Sequence, residues 1–166
     1  ASPSADLTVP LLLLNATVEL ATWNGERTVR RSLGLRKFLV GKEETALNDV
    51  EILTAASIPT SSLGLRGDFQ KSGTRVSLDT TLASAGIAAA IADGVLGDVR
   101  IAFGGVANNA MRADRTEVVL ANQRISDELI TEAVAAARDE VDPSDDDRAS
   151  AWYRRELIGV FLKRLL

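Results

Sequence analysis

The chain has 166 residues, 46% of them hydrophobic and 25% charged, with a formal net charge of −4. That is enough apolar material for one or two packed domains without covalent staples, and the scattered basic residues leave no nucleic-acid footprint. Cysteine and histidine are both absent, which removes disulfides, thiolate nucleophiles, iron–sulfur ligation, a Ser-His-Asp triad and the usual zinc sites from this chain, so any redox chemistry has to come from a bound organic cofactor.

The chain opens on Ala1-Ser2-Pro3-Ser4-Ala5-Asp6, with no Met and no polar leader, and reads as a piece cut from a larger protein. The apolar run at 9–14 is too short to span a bilayer. No basic segment precedes it, so it is not a secretory signal, and a cytoplasmic location is expected. Asp6 stands where it could cap a helix that begins near Leu7. Residues 16–20 alternate, with Val18 and Leu20 on one face and Thr17 and Glu19 on the other. Asn24-Gly25 then favours a type I′ turn, and 26–29 read as the returning strand of a β-hairpin. A short helical turn is predicted over 32–38, ending near Gly41, and a strand over 50–58, stopped by Pro59. Residues 59–67 have the composition of a linker, which places a boundary there between two units, 1–60 and 61–166.

Beyond that boundary three strands are predicted, at 67–75, 84–91 and 98–103, with Asp93-Gly94 opening the loop between the last two. Residues 83–92 are rich in alanine, which favours helix; their brevity and flanking turns favour strand. A short helix is expected over 114–120. Ser126 is a good N-cap, with Asp127 and Glu128 in the first turn. Ile130, Ala133, Val134, Ala137 and Val141 follow at helical spacing until Pro143. Ser150 caps a last helix with the apolar stripe Tyr153, Leu157, Val160 and Phe161 and a wet side carrying Arg154, Arg155, Lys163 and Arg164. Strands followed by helices without regular alternation indicate an α+β fold, a small antiparallel sheet packed on C-terminal helices.

Four groups of residues invite a chemical reading. The acidic residues Asp139, Glu140 and Asp142 to Asp147 suggest a metal site, yet they lack the glycine and terminal glutamate of an EF-hand loop; a solvated loop is the plainer reading. Gly104-Gly105, ending a strand, suits either a tight strand exit or the close approach of a ligand, and no P-loop lysine follows. Lys71 and Arg75 share a strand face and fit either a solvated basic surface or a contact with phosphates or a flavin ring. Trp152 and Tyr153 suit either core or a partner contact.

The pieces, taken in order, resemble the flavin domains of the molybdenum hydroxylase family, the xanthine dehydrogenase and carbon monoxide dehydrogenase group. Ser2-Pro3-Ser4-Ala5-Asp6-Leu7 resembles that family's Ser-Pro-Ile-Ser-Asp-Leu segment. Asn15-Ala16-Thr17-Val18-Glu19-Leu20 with Gly25-Glu26-Arg27-Thr28-Val29 comes next, and then Phe38-Leu39-Val40-Gly41 and Thr45-Ala46-Leu47. Glu51-Ile52-Leu53-Thr54 through Ile58-Pro59 resembles its Glu-Leu-Leu…Ile-Pro strand, and 69–75 its Lys-x-x-x-Arg strand. Ile101-Ala102-Phe103-Gly104-Gly105-Val106-Ala107, Arg112-Ala113 and Tyr153-Arg154-Arg155 complete the set. The resemblance runs through almost the whole chain and rests on the order and spacing of these pieces together.

The resemblance implies that 1–60 are the C-terminal end of an FAD-binding subdomain and 61–166 a CO dehydrogenase flavoprotein C-terminal-like domain. It implies partners, iron–sulfur and molybdenum-cofactor subunits or domains, from which electrons reach FAD and then NAD or another acceptor. Asp6, Leu53 and Lys71 match family positions that touch FAD. A cation suits a flavin that gains negative charge, a carboxylate can accept from sugar hydroxyls, and a leucine can pack on the ring. The competing expectation is a non-catalytic domain that serves as an assembly surface. The chain departs from the family where Asp49-Val50 stands in place of a common Pro-Gly. The family's Gly-rich pyrophosphate loop and its Thr-x-Gly-Gly-Asn stretch are not found in these 166 residues, and with them go most of the backbone donors for a pyrophosphate. The isolated chain is therefore expected to bind FAD weakly or not at all; flavin absorbance co-purifying with it alone would contradict this.

Overall fold

The computed structural model describes residues 2–73 and 80–166. Helix α1 (Thr8–Leu13) buries Val9, Leu12 and Leu13 and begins at Leu7 with no side-chain cap. Asp6 is therefore not its N-cap, because the carboxylate is taken by other side chains. Strand β1 (Thr17–Trp23) pairs antiparallel with β2 (Thr28–Gly34), from Thr17↔Gly34 to Trp23↔Thr28. The hairpin stands where the alternation placed it, but its turn differs. Gly25 has φ +99°, and Asn24 Oδ1 accepts from Glu26 N and Arg27 N, so Asn24 is the residue before the turn rather than one of its two central residues. The predicted helical turn at 32–38 shrinks to α2 (Leu35–Phe38). Its first residues continue β2, because β1 offers them ladder partners.

A two-stranded ribbon follows, β3 (Leu39–Gly41) and β4 (Glu44–Thr45). Strand β5 (Ile52–Ser57) then joins the free edge of β1, giving the order β2-β1-β5. A single 3-10 turn at Thr60–Ser62 leads into the second sheet. There β6 (Arg66–Gly73), β7 (Thr81–Ala92), β8 (Val95–Gly104) and β9 (Met111–Arg112) lie antiparallel in chain order. Arg75 and the end of its predicted strand lie outside the described residues. Asp93 and Gly94, with φ +50° and +75°, form the whole connection between Ala92↔Val95. This is the two-residue hairpin in which both central residues need positive φ.

The alanine-rich segment is a strand because both of its faces are covered. Ala83, Ala85, Ile87 and Ala89 join the core under the C-terminal helices, while Ala88 joins the core around α1. Small side chains let helices approach both faces, and packing overrides alanine's helical preference. At Gly86 an added Cβ would lie 2.7 Å from Leu13 Cδ1 and 3.3 Å from Val9 Cγ1, so α1 uses the space that the missing side chain leaves.

Three helices cover the other face: α3 (Asp114–Leu120), α4 (Asp127–Glu140) and α5 (Ala151–Leu165). Ser126 and Ser150 cap α4 and α5, accepting from Leu129 N and Tyr153 N. Helix α3 has no cap of its own; Glu140, at the end of α4, accepts from Arg115 N, Thr116 N and Thr116 Oγ1 at 2.8–2.9 Å. On α5, Ile158, Phe161 and Leu162 are buried, whereas Tyr153 and Val160 remain exposed. The stripe is thus rotated from the expected one and takes Arg154 inside with it. Arg154 is 4% exposed, so it does not lie on the wet side.

The C-terminal carbonyls of α1 end inside the molecule and find donors from the second sheet. Arg100 Nη1 donates to Leu13 O at 3.1 Å and to Ser62 Oγ at 2.9 Å. Ser62 Oγ donates to Leu14 O at 2.9 Å, and Arg112 Nη1 donates to Leu12 O at 3.3 Å. Replacing Arg100 with methionine keeps most of the volume but strips those buried acceptors. A loss of about 2–3 kcal/mol is expected, read as a lower midpoint in urea unfolding with an unchanged slope.

Candidate functional site

The segment before α1 is drawn onto the end of β8 by the glycine pair. Gly105 N donates to Pro3 O at 2.9 Å. Gly105 has φ +73°, and a Cβ there would meet Leu82 O at 2.6 Å; at Gly104 it would meet Ser84 Oγ at 2.6 Å and Val9 Cγ2 at 3.0 Å. Gly104-Gly105 is thus a tight strand exit, and what approaches it closely is the protein's own backbone. That docking brings Asp6 beside the β6–β7 pair.

Lys71 Nζ donates to Asp6 Oδ2 at 2.6 Å, and Thr81 Oγ1 donates to Asp6 Oδ1 at 2.7 Å. The two charged side chains remain 48% and 39% exposed for Asp6 and Lys71, while Thr81 is only 2% exposed. The hydrogen bond from Lys71, then that from Thr81, holds the Asp6 carboxyl below the usual aspartate range against a small opposing effect of burial. Two candidate residues that stand 65 positions apart therefore meet in one ion pair at the surface.

Leu53 lies on the other sheet, on β5, where all six residues are exposed. It is 47% exposed and pairs directly with buried Leu20. Cross-strand partners share a face, so Leu53 sits on the side of its sheet that packs on α1. The start of β5 is anchored by Glu51, which accepts from Arg31 Nε at 2.6 Å, Arg31 Nη2 at 2.7 Å and Asn48 N at 2.9 Å. Those donors, Arg31 first, hold the Glu51 carboxyl down at about 2.

The acidic run is structural. Asp146 accepts from Arg154 Nη2, Arg148 Nη2 and Ala149 N. Burial pushes its carboxyl up, and these hydrogen bonds together outweigh burial and hold it well below the usual range. With Glu140 capping α3, the residues do more than solvate a loop. Among the described residues no group of three or more acidic, His or Cys side chains is arranged for a metal ion.

Residues 68–166 match the family model for the CO dehydrogenase flavoprotein C-terminal domain. The chain belongs to that family. Residues 1–61 match the model for the FAD binding domain in molybdopterin dehydrogenase, which bears out the resemblance read from the motifs. The chain is 30% identical over 160 residues to the glyceraldehyde dehydrogenase medium chain of Sulfolobus acidocaldarius, covering 96% of this chain and 55% of that protein. It is 28% identical to the carbon monoxide dehydrogenase medium chain of Afipia carboxidovorans, covering 98% of this chain and 54% of the relative. Among solved structures, carbon monoxide dehydrogenase from Hydrogenophaga pseudoflava superposes with a TM-score of 0.89 at 26% identity, over 99% of this chain and 55% of that one. The chain thus spans about half the length of these relatives, and the α+β architecture is theirs.

The residues present fit part of an FAD. Among the described residues Lys71 Nζ commits one ammonium proton, to Asp6, and is partly solvent-facing, so it can offer charge to a flavin edge. A pyrophosphate needs a cradle of backbone donors, and neither Gly104 nor Gly105 supplies one, since both are packed against the protein itself. Asp6 has a lowered folded pKa, so its contribution to stability is present above the unfolded value and lost as pH falls through the folded one. Thermal unfolding of the wild type and Asp6→Asn should therefore differ by a constant amount near neutrality, and the gap should close below about pH 4; a gap that persists to lower pH would rule out the ion pair as its source.

Proposed function

We propose that this chain forms one wall of the FAD site in the electron-transfer medium subunit of a molybdenum hydroxylase. Its place is between iron–sulfur clusters, which bring electrons from a molybdenum cofactor, and NAD or another final acceptor. The supporting observation is the half-exposed Asp6–Lys71 pair, formed within residues that match the two flavoprotein family models. The names of the relatives, medium chains of glyceraldehyde and carbon monoxide dehydrogenases, support a multi-subunit enzyme; we read it as cytoplasmic, with the molybdenum and iron–sulfur centres carried by partner subunits or domains.

In this reading residues 1–60 end the FAD-binding subdomain and 61–166 form the domain that closes over it. When bound, FAD supplies the two-electron chemistry that the side chains lack. Lys71 presents a positive charge to the flavin edge, Asp6 orients that charge and accepts from hydroxyl groups, and Leu53 gives the ring an apolar surface. The rest of the polypeptide supplies the pyrophosphate cradle.

The test is Lys71→Ala in the full-length subunit. FAD retention should weaken by about tenfold, the worth of one charge-assisted hydrogen bond, or flavin reduction by the iron–sulfur partner should slow. Unchanged flavin content together with unchanged reduction kinetics would take Lys71 out of the site.

A further inference from the structure

We infer that Thr81 is a positioning residue of the flavin wall: it holds one oxygen of Asp6 and thereby sets how much of the Lys71 charge is left for the cofactor. The inference rests on the reading of Asp6 and Lys71 given above, and adds a residue that the motifs do not contain.

The geometry carries it. An aspartate on an exposed turn can rotate until both oxygens face a neighbouring ammonium, which neutralises that charge most fully. Here only Oδ2 reaches Lys71, at 2.6 Å; Oδ1 is held by Thr81 Oγ1 at 2.7 Å. Thr81 is well suited to hold it. It is 2% exposed, and a β-branched side chain in a strand has few χ1 positions. Strand β6 pairs with β7 in unbroken register from Arg66↔Ala89 to Ser72↔Ala83, and a bulge then sets Gly73 opposite Thr81. The next residue is locked as well, because buried Arg154 Nη1 donates to Leu82 O and to Gly105 O. The hydroxyl therefore comes from a rigid corner, while Asp6 and Lys71 are half in solvent.

The consequence is electrostatic. Without the hydroxyl, Asp6 turns both oxygens to Lys71, less positive charge faces the flavin, and the flavin becomes harder to reduce. The experiment measures the flavin midpoint potential in the FAD-loaded full-length subunit for five proteins: wild type, Thr81→Val, Thr81→Ser, Asp6→Asn and the Thr81→Val/Asp6→Asn double variant. Thr81→Val should lower the potential, Thr81→Ser should restore it, and Asp6→Asn should raise it. Thr81→Val should add nothing in the Asp6→Asn background, because it acts through that carboxylate. A wild-type potential in Thr81→Val, or the same shift with and without Asp6, overturns the inference. Lys71→Met separates the two levels of failure. If it lowers the potential while Thr81→Val does not, only the role of Thr81 fails; if it also leaves the potential unchanged with FAD bound, the flavin reading fails with it. The crystal structure of the variant gives a check free of flavin: in Thr81→Val both Asp6 oxygens should lie within hydrogen-bond distance of Lys71 Nζ, in Thr81→Ser Oδ1 should stay on the hydroxyl, and a Thr81→Val structure with Oδ1 still turned away from Lys71 overturns the inference. Should the valine variant not fold, Thr81→Ala replaces it on the same readouts and with the same outcomes.

Discussion

A short helix whose C-terminal carbonyls end in the interior must be given donors from outside itself. Helix α1 receives them from Arg100, Arg112 and Ser62, and the rest of the structure is arranged around that demand. Arg100 is fixed by Asp98 at 2.7–2.9 Å and Arg112 by Glu117 at 2.7–2.9 Å, so the donors are held in place before they meet the carbonyls. On its apolar side α1 needs a surface without bulk, which Gly86, Ala88 and Ala102 provide. The core so formed takes in Val18 and Leu20 from the first sheet, Leu35 and Phe38 from α2, and Ala88 and Ala102 from the second sheet. Residues before and after the 3-10 turn thus share one apolar cluster, and α1 joins the two sheets mechanically.

This arrangement explains why a surface ion pair can be well placed. An exposed Lys–Asp pair ordinarily contributes little, because two long side chains must be ordered in water. Here the aspartate backbone is pinned by the Pro3–Gly105 hydrogen bond and by burial of α1 next to it, and the lysine stands on a strand paired along its length. Most of the ordering cost has been met by core packing elsewhere, so the charges remain solvent-facing without being loose. Leu53 follows the same logic on the other sheet, where the bidentate Arg31–Glu51 pair fixes the entry of a strand that is otherwise exposed.

What the sequence made legible follows from the range of the interactions. The Val18/Leu20 alternation, the Asp93-Gly94 turn and the Ser126 and Ser150 caps are local, and each names its element from a few residues. The alanine-rich strand was legible only through its flanking turns, since alanine points to helix until packing on both faces is known. Asp6 as a helix cap was a local reading defeated by a partner 65 residues away. Arg154 reads as a solvent-facing arginine from the sequence, since nothing near it in the chain announces that Leu82 O, Gly105 O and Asp146 will need its donors. Thr81 carried no signal at all: a threonine in a strand is ordinary until its neighbour across space is known. The motif order, by contrast, already named the positions that became neighbours at Asp6 and Lys71.

The polar residues at the C-terminal end show why the helices belong to the site's support even though they do not touch it. Glu140 replaces the missing cap of α3, and α3 supplies Glu117, which holds Arg112 and accepts from Ile101 N at 2.8 Å. Arg154 of α5 ties the start of β7 to the end of β8, the two points between which the Pro3 segment docks. A hydrogen-bonded path therefore runs from the acidic loop through Asp146 and Arg154 to Gly105 and Pro3, three residues before Asp6. Buried charged groups gain their worth from their partners; Arg154 finds them for Nη1 and Nη2, while its Nε has none among the described residues. In this chain their partners are the backbone carbonyls that define where the surface pair will stand, so the acidic run acts on the site through geometry rather than through its own charge.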